Sequence, residues 1–219
     1  MIVVAEHAKK PSPDERRATI LDVAHQAFLR EGYSGTSMSR IAADVGGSKA
    51  TLYSYFPSKK ALFDAVAERE GATLMEQLFR VGPSRGDFRA DLTELTRRFL
   101  TVLLSERMIL GHRLIIAESG RFPEIGRMSY ALTVRRGLKH LADYFQKAMD
   151  GGYLRPSSSM FAAEVFFDLT AGNLHKQRLW SVVQKVDAPS IEIEARRIAS
   201  IFLAAYGNDD LARNAREGR

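Results

Sequence analysis

From Ser48 to Phe56 the chain reads Ser-Lys-Ala-Thr-Leu-Tyr-Ser-Tyr-Phe, so the groups available for chemistry are hydroxyls, phenols and one ammonium. Their shared capacity is hydrogen bonding to phosphate oxygens and base edges. On a helix, Ala50 and Thr51 are short enough to let the backbone approach bases, and the Thr51 methyl can touch a thymine methyl. Lys49 can reach a guanine or a phosphate, and Tyr53 and Tyr55 offer hydroxyl donors. Ser48, as the cap, leaves amide groups and partial positive charge that suit a phosphate. Phosphate contacts set register; only Lys49, Ala50, Thr51 and Tyr53 are placed to read sequence. Leu52 and Phe56 fall on the opposite face, toward a core.

Such a helix needs others to hold it. Ser12-Pro13-Asp14-Glu15 is a helix start: Ser12 caps, Pro13 fits the first turn and Glu15 completes a capping box. Ile20, Ala24, Ala27 and Phe28 form the apolar face that follows, and Gly32 ends it. A second helix from Thr36-Ser37 buries Met38 and Ile41, with Val45 at its end and Gly46-Gly47 as breaker. Pro57-Ser58 restarts the chain as a fourth helix with Leu62, Phe63 and Val66 inward. A helix-turn-helix works in this way, one helix crossing the DNA backbone while the next enters the major groove.

Composition agrees with a globular protein. The 219 residues are 45% hydrophobic and 26% charged, and the absence of cysteine excludes disulfides and thiolate metal sites and fits a reducing cytoplasm. The start MIVVAEHAKK lacks the layout of a signal peptide, and Arg107, His112, Arg113 and Glu118 interrupt the best membrane-span candidate. Residues 36–60 carry Arg40, Lys49, Lys59 and Lys60 against Asp44 alone, half of the net charge of +6. Lys59-Lys60 alone reads as a solvated face, and Tyr53 and Tyr55 alone as interfacial aromatics.

Beyond the cluster Gly82-Pro83-Ser84-Arg85-Gly86, helical periodicity resumes. Leu92, Leu95, Phe99 and Leu103 recur at spacings of three and four, as do Ile125, Met128, Leu132, Leu138, Leu141 and Phe145 with one gap. Gly151-Gly152 stops the second set and Ser157-Ser158-Ser159 opens another helix. No alternating stretch is flanked by hairpin turns. The expected fold is all-α: an arm over 1–12, a helix-turn-helix domain over 13–62, a larger helical domain over 63–206 and a flexible tail over 207–219. Lys9-Lys10 in the arm can reach DNA or remain disordered.

The positions Gly35-Thr36-Ser37-Met38, Ile41-Ala42, Gly46, Ser48 to Tyr53, Tyr55-Phe56, Ser58-Lys59 and Leu62 resemble, in register, the DNA-binding domain of the TetR family of bacterial transcriptional repressors. The resemblance implies that Thr36, Ser48, Tyr55 and Lys59 grip phosphates, with Ser37 beside them. It also implies a homodimer whose C-terminal part binds a small-molecule effector and releases a double-stranded DNA operator. Arg113 to Phe145 resembles an efflux-regulator-like subgroup.

Two residues depart from the family pattern. Gly47 stands where valine usually seals the turn; with negative φ, Gly47→Val is expected to raise the melting temperature. Lys60 stands where an acidic residue is usual and opposes the helix dipole, so it is expected to supplement Lys59 as a phosphate contact.

For dimerisation, Phe161, Val165 and Leu169, Ala162, Phe166 and Asn173, and Phe167 and Leu174 give one helix several apolar faces, and Ile191, Ala195, Ile198 and Phe202 line another. Phe167, Leu174, Ile191, Ile198 and Phe202 are the interface expected from this pattern; a two-sided core in a monomer is the alternative. A two-fold dimer calls for a roughly palindromic operator. Phe99, Leu103, Met108, Phe122, Tyr130 and Phe166 either line an apolar effector pocket or form core. Glu118 and Asp168, if buried beside it, favour a cationic or hydrogen-bonding ligand. His112, His140 and His175 lack metal-ligand spacing, and no metal or cofactor is expected. An enzyme is disfavoured by the lack of a nucleophile elbow, phosphate loop or dinucleotide fingerprint. An activator or a nonspecific nucleoid factor remains the alternative DNA-binding role.

Overall fold

The computed structural model describes residues 12–79 and 87–210. The Gly82 to Gly86 cluster, Lys9-Lys10 and the last nine residues lie outside them. The chain forms helices α1 (Pro13–Gly35), α2 (Met38–Asp44), α3 (Lys49–Tyr55), α4 (Lys59–Leu78), α5 (Phe88–Leu103), α6 (Glu106–Ser119) and α7 (Pro123–Ser129). A π-helical turn (Tyr130–Arg135) joins α7 to α8 (Arg136–Asp150), followed by α9 (Ser159–Thr170), α10 (Asn173–Leu179) and α11 (Ala188–Tyr206). Packing divides the chain into two units, 1–69 and 70–219.

In the first unit the sequence signals act where they stand. The Ser12 hydroxyl accepts from the Glu15 N–H at 3.2 Å, while Glu15 accepts from the Ser12 N–H at 2.7 Å. Gly32 breaks α1 at φ 77°, a left-handed conformation that favours glycine. Ile20, Ala24, Ala27 and Phe28 are buried with Ile41, Leu52 and Leu62. Phe63 packs edge-on against Phe28 and Tyr33, with centroids 5.0 and 5.2 Å away. That aromatic group and buried Val66 tie the start of α4 to α1. The division therefore falls inside α4, after Arg69 and not after residue 62.

The second unit is built around Phe145, Phe166 and Phe202, all fully buried and mutually packed at centroid distances of 4.7 to 5.6 Å. Each such ring contributes roughly 1.5–3 kcal/mol by leaving water. α11 lies along α5 through Leu100, Leu104, Ala195 and Ile198. Gly71 is buried on α4, and a Cβ there would stand 2.9 Å from the Leu132 carbonyl oxygen of the π-helical turn. The expected flexible tail does not begin at Gly207. Gly207 bridges Leu154, and Asn208 donates to the Tyr153 and Gly152 carbonyls at 3.0 and 2.8 Å. That bridge is the extent of β pairing among the described residues.

Candidate nucleic-acid interface

α2 ends in two reciprocal bonds, Gly47 N–H to Ala42 O and Gly46 N–H to Ala43 O, both 3.0 Å. Gly46 carries the left-handed φ of 71° that this Schellman ending requires. The Ser48 hydroxyl then accepts from the Thr51 N–H at 3.0 Å and shares a 2.9 Å hydrogen bond with the Thr51 hydroxyl. Leu52 and Phe56 are buried and anchor α3 from behind. Lys49, Ala50, Thr51 and Ser54 are exposed, Tyr53 is 48% exposed and Tyr55 half-buried. The outward face of α3 is thus the one read from periodicity, and Ser37 is exposed beside it as the cap of α2.

Two expected phosphate ligands are turned inward. Thr36 is 2% exposed, and its hydroxyl donates to Gly32 O at 2.7 Å and Ala27 O at 3.3 Å. Lys59 Nζ lies 4.5 Å above the Tyr33 ring centroid and donates to the Tyr33 and Thr36 carbonyls at 2.7 and 3.0 Å. Both side chains fasten the turn between α1 and α2. Lys60 is exposed and pairs with Asp64 at 2.7 Å. A surface pair of this kind contributes only about 0–1 kcal/mol, so the lysine can exchange partners. Gly47 has no left-handed φ, but Arg16 occupies the space its side chain would need: Nη2 lies 2.5 Å from an ideal Cβ.

In the second unit the candidate effector residues are not gathered as one lining. Phe99 and Phe166 pack edge-on at 5.6 Å inside the core, so the core alternative holds for them. Leu103, Met108 and Phe122 are half-buried, with Arg121 5.3 Å over the Phe122 ring, whereas Tyr130 is 51% exposed. Glu118 is buried and Asp168 exposed.

The stripe expected to form the dimer interface is turned inward. Ile198 and Phe202 are 2% and 0% exposed and face their own core, with Phe167, Leu174 and Ile191 packed partly against it. The large apolar residues left outward on α9 and α11 are Met160, Phe161, Ile193 and Ile201, at 44%, 56%, 68% and 45% exposed.

A polar seam that no sequence spacing announces joins α6 and α10. His112 Nδ1 and His175 Nε2 share a 2.9 Å hydrogen bond. Burial, then the neighbouring His175, holds His112 down to about 4, and burial also lowers His175. Beside them Arg113 donates to the Leu179 and Arg178 carbonyls at 2.9 and 2.8 Å, capping α10. Buried Arg178 donates to Leu104 O at 3.2 Å and pairs with Glu106 at 2.7 Å. Among the described residues no group of three or more potential ligands is placed for a metal ion. No helix there is long and apolar enough to cross a membrane.

A helix-turn-helix with an outward hydroxyl- and amine-bearing second helix, joined to a larger helical unit, defines the class of DNA-binding transcriptional regulators. Residues 20–66 match the bacterial regulatory proteins of the tetR family, and residues 90–208 match the AefR-like transcriptional repressor C-terminal domain. The chain belongs to the TetR family, with a C-terminal domain of the AefR-like kind. It is 33% identical over 85 residues to the DNA-binding transcriptional repressor TetR of Mycobacteroides abscessus, covering 39% of this chain and 45% of that protein. A Mesorhizobium loti MAFF303099 protein assigned to the TetR-family regulators superposes with TM-score 0.82 at 28% identity, over 90% of this chain and 100% of that one. The flavonoid-responsive regulator FrrA superposes with TM-score 0.77 at 32% identity, over 90% and 99% of the two chains.

Proposed function

We propose that this protein represses transcription as a homodimer on a roughly palindromic duplex and is released by a small molecule held in its helical domain. The observation that carries the reading is the outward face of α3, where Lys49, Ala50, Thr51 and Tyr53 stand clear of the core on a capped, glycine-turned scaffold. These residues contact base edges; Ser37, Ser48, Tyr55 and Lys60 meet the backbone. Thr36 and Lys59 serve the same surface indirectly by fixing the turn before α2.

The partner protomer covers the outer faces of α9 and α11 around Phe161, Ile193 and Ile201, not the inward stripe of Ile198 and Phe202. Likeness to FrrA supports a small-molecule effector, and the AefR-like C-terminal match supports repression. The protein acts in the cytoplasm without turnover chemistry of its own. Selection of random duplexes by the purified protein, followed by sequencing, tests the DNA reading. Enrichment of a two-fold symmetric site supports it; recovery of the input pool unchanged rejects it in favour of a nonspecific binder.

A further inference from the structure

The turn of the reading head carries a further cation, Arg16. Arg16, half-buried on the first turns of α1, lays its guanidinium over Gly47 and donates from Nη2 to Gly46 O at 3.3 Å. A Cβ at residue 47 would stand 2.5 Å from Nη2 and 3.7 Å from Cζ, so a side chain there requires the flexible end of Arg16 to leave this position. Beneath them lies a small gap bordered by Ile20, Ala42, Thr51 and Leu52.

A guanidinium carries five N–H donors in a planar fork and never loses its charge. Among the described residues Gly46 O is the acceptor that Arg16 uses, and no carboxylate pairs with it. The adjacent Ser48 and Thr51 hydroxyls are bonded to each other, and among the described residues neither accepts from Arg16. Neither α2 nor α3 has an acidic residue in its first turn. Next in the chain, exposed Arg17 lies 5.3 Å over the Phe56 ring, and Lys49 is exposed just beyond the turn. A fork with spare donors and no ion-pair partner among the described residues, held at the edge of the face that α3 presents, fits the oxygens of a phosphodiester.

We propose that Arg16 is a direct contact to the DNA backbone, and that residue 47 is glycine because the guanidinium fills the room a side chain would need. The proposal rests on the DNA-binding reading and adds a residue to it. Its test is fluorescence anisotropy with a labelled random-sequence duplex across a potassium chloride series, using the full chain, Arg16→Gln, Arg16→Lys and Gly47→Val, each with a thermal melt.

Arg16→Gln is expected to make the slope of log K against log salt shallower by about one ion per reading head, whereas Arg16→Lys retains it. Gly47→Val, which displaces the guanidinium but adds apolar contact to the gap, is expected to lose the same slope without a lower melting temperature. An unchanged slope in Arg16→Gln, with or without a lower melting temperature, overturns the contact and leaves Arg16 a brace of the turn. An unchanged slope in Gly47→Val alone overturns the reason given for the glycine. A wild type that leaves the duplex unbound at low salt overturns the DNA reading itself, and this inference with it.

Discussion

The hydrogen-bonded imidazoles of His112 and His175 make the stability of the helical domain depend on pH in a definite direction. In the folded chain His112 is held down to about 4 by burial and by His175; unfolded, it returns to its ordinary value of 6.5. Between those values the unfolded chain binds more protons, so stability falls as pH is lowered through the ordinary imidazole range. Above about pH 7 the residue is neutral in both states and the contribution is flat. The full linkage is roughly 3 kcal/mol, of which about 2 is lost by about pH 5. His175 is lowered by burial as well, so it adds to the same trend. Urea melts of wild type and His112→Gln, followed by the fluorescence of Trp180, the single tryptophan, measure it between about pH 8 and about pH 5. The stability difference between the two proteins is expected to move in favour of the variant by about 2 kcal/mol over that interval. A difference that does not change with pH would refute the reasoning and mean that His112 titrates normally in the fold.

Lys59→Met removes the donor held by the Tyr33 and Thr36 carbonyls, so thermal melts should show a loss of about 1–3 kcal/mol even without DNA. Gly71→Ala drives a Cβ against the Leu132 carbonyl and should lower the urea midpoint by the equivalent of about 1–3 kcal/mol. Phe202→Ala empties the centre of the aromatic core and should cost about 3–5 kcal/mol in the same assay. If the proposed homodimer is built on the outer face of α11, Ile201→Asp should leave the helical circular dichroism intact while halving the mass seen by sedimentation; a mass unchanged from wild type would place any interface elsewhere.

What was legible in the sequence was local. The capping box at Ser12 and Glu15, the glycine turn at Gly46 and the inward Leu52 and Phe56 all follow from short-range rules of capping and helical period, and all stand as read. The boundary after residue 62 was not legible, because α4 runs unbroken while Phe63 and Val66 still pack with α1. On α11 the stripes through Ile198 and Ile201 have the same period. Only the packing of α5 and α9 decides which is inside, and it chose Ile198 and Phe202. Thr36 and Lys59 belong to the hydroxyl and amine types that bind phosphate, yet the bend at Gly32 brings carbonyls within their reach. The pairing of His112 with His175 and the placement of Arg16 over Gly47 are contacts between distant residues that no spacing rule anticipates.

Reading of duplex sequence by the outward face of α3 is the function on which the rest depends. The most direct measurement is paired titration of a selected duplex and a scrambled one with wild type and with Tyr53→Ala, at fixed salt. Wild type is expected to prefer the selected duplex, and the variant to lose most of that preference with nearly unchanged affinity for the scrambled one. Equal affinity of wild type for both duplexes, or a preference that survives Tyr53→Ala and Lys49→Ala together, would contradict it.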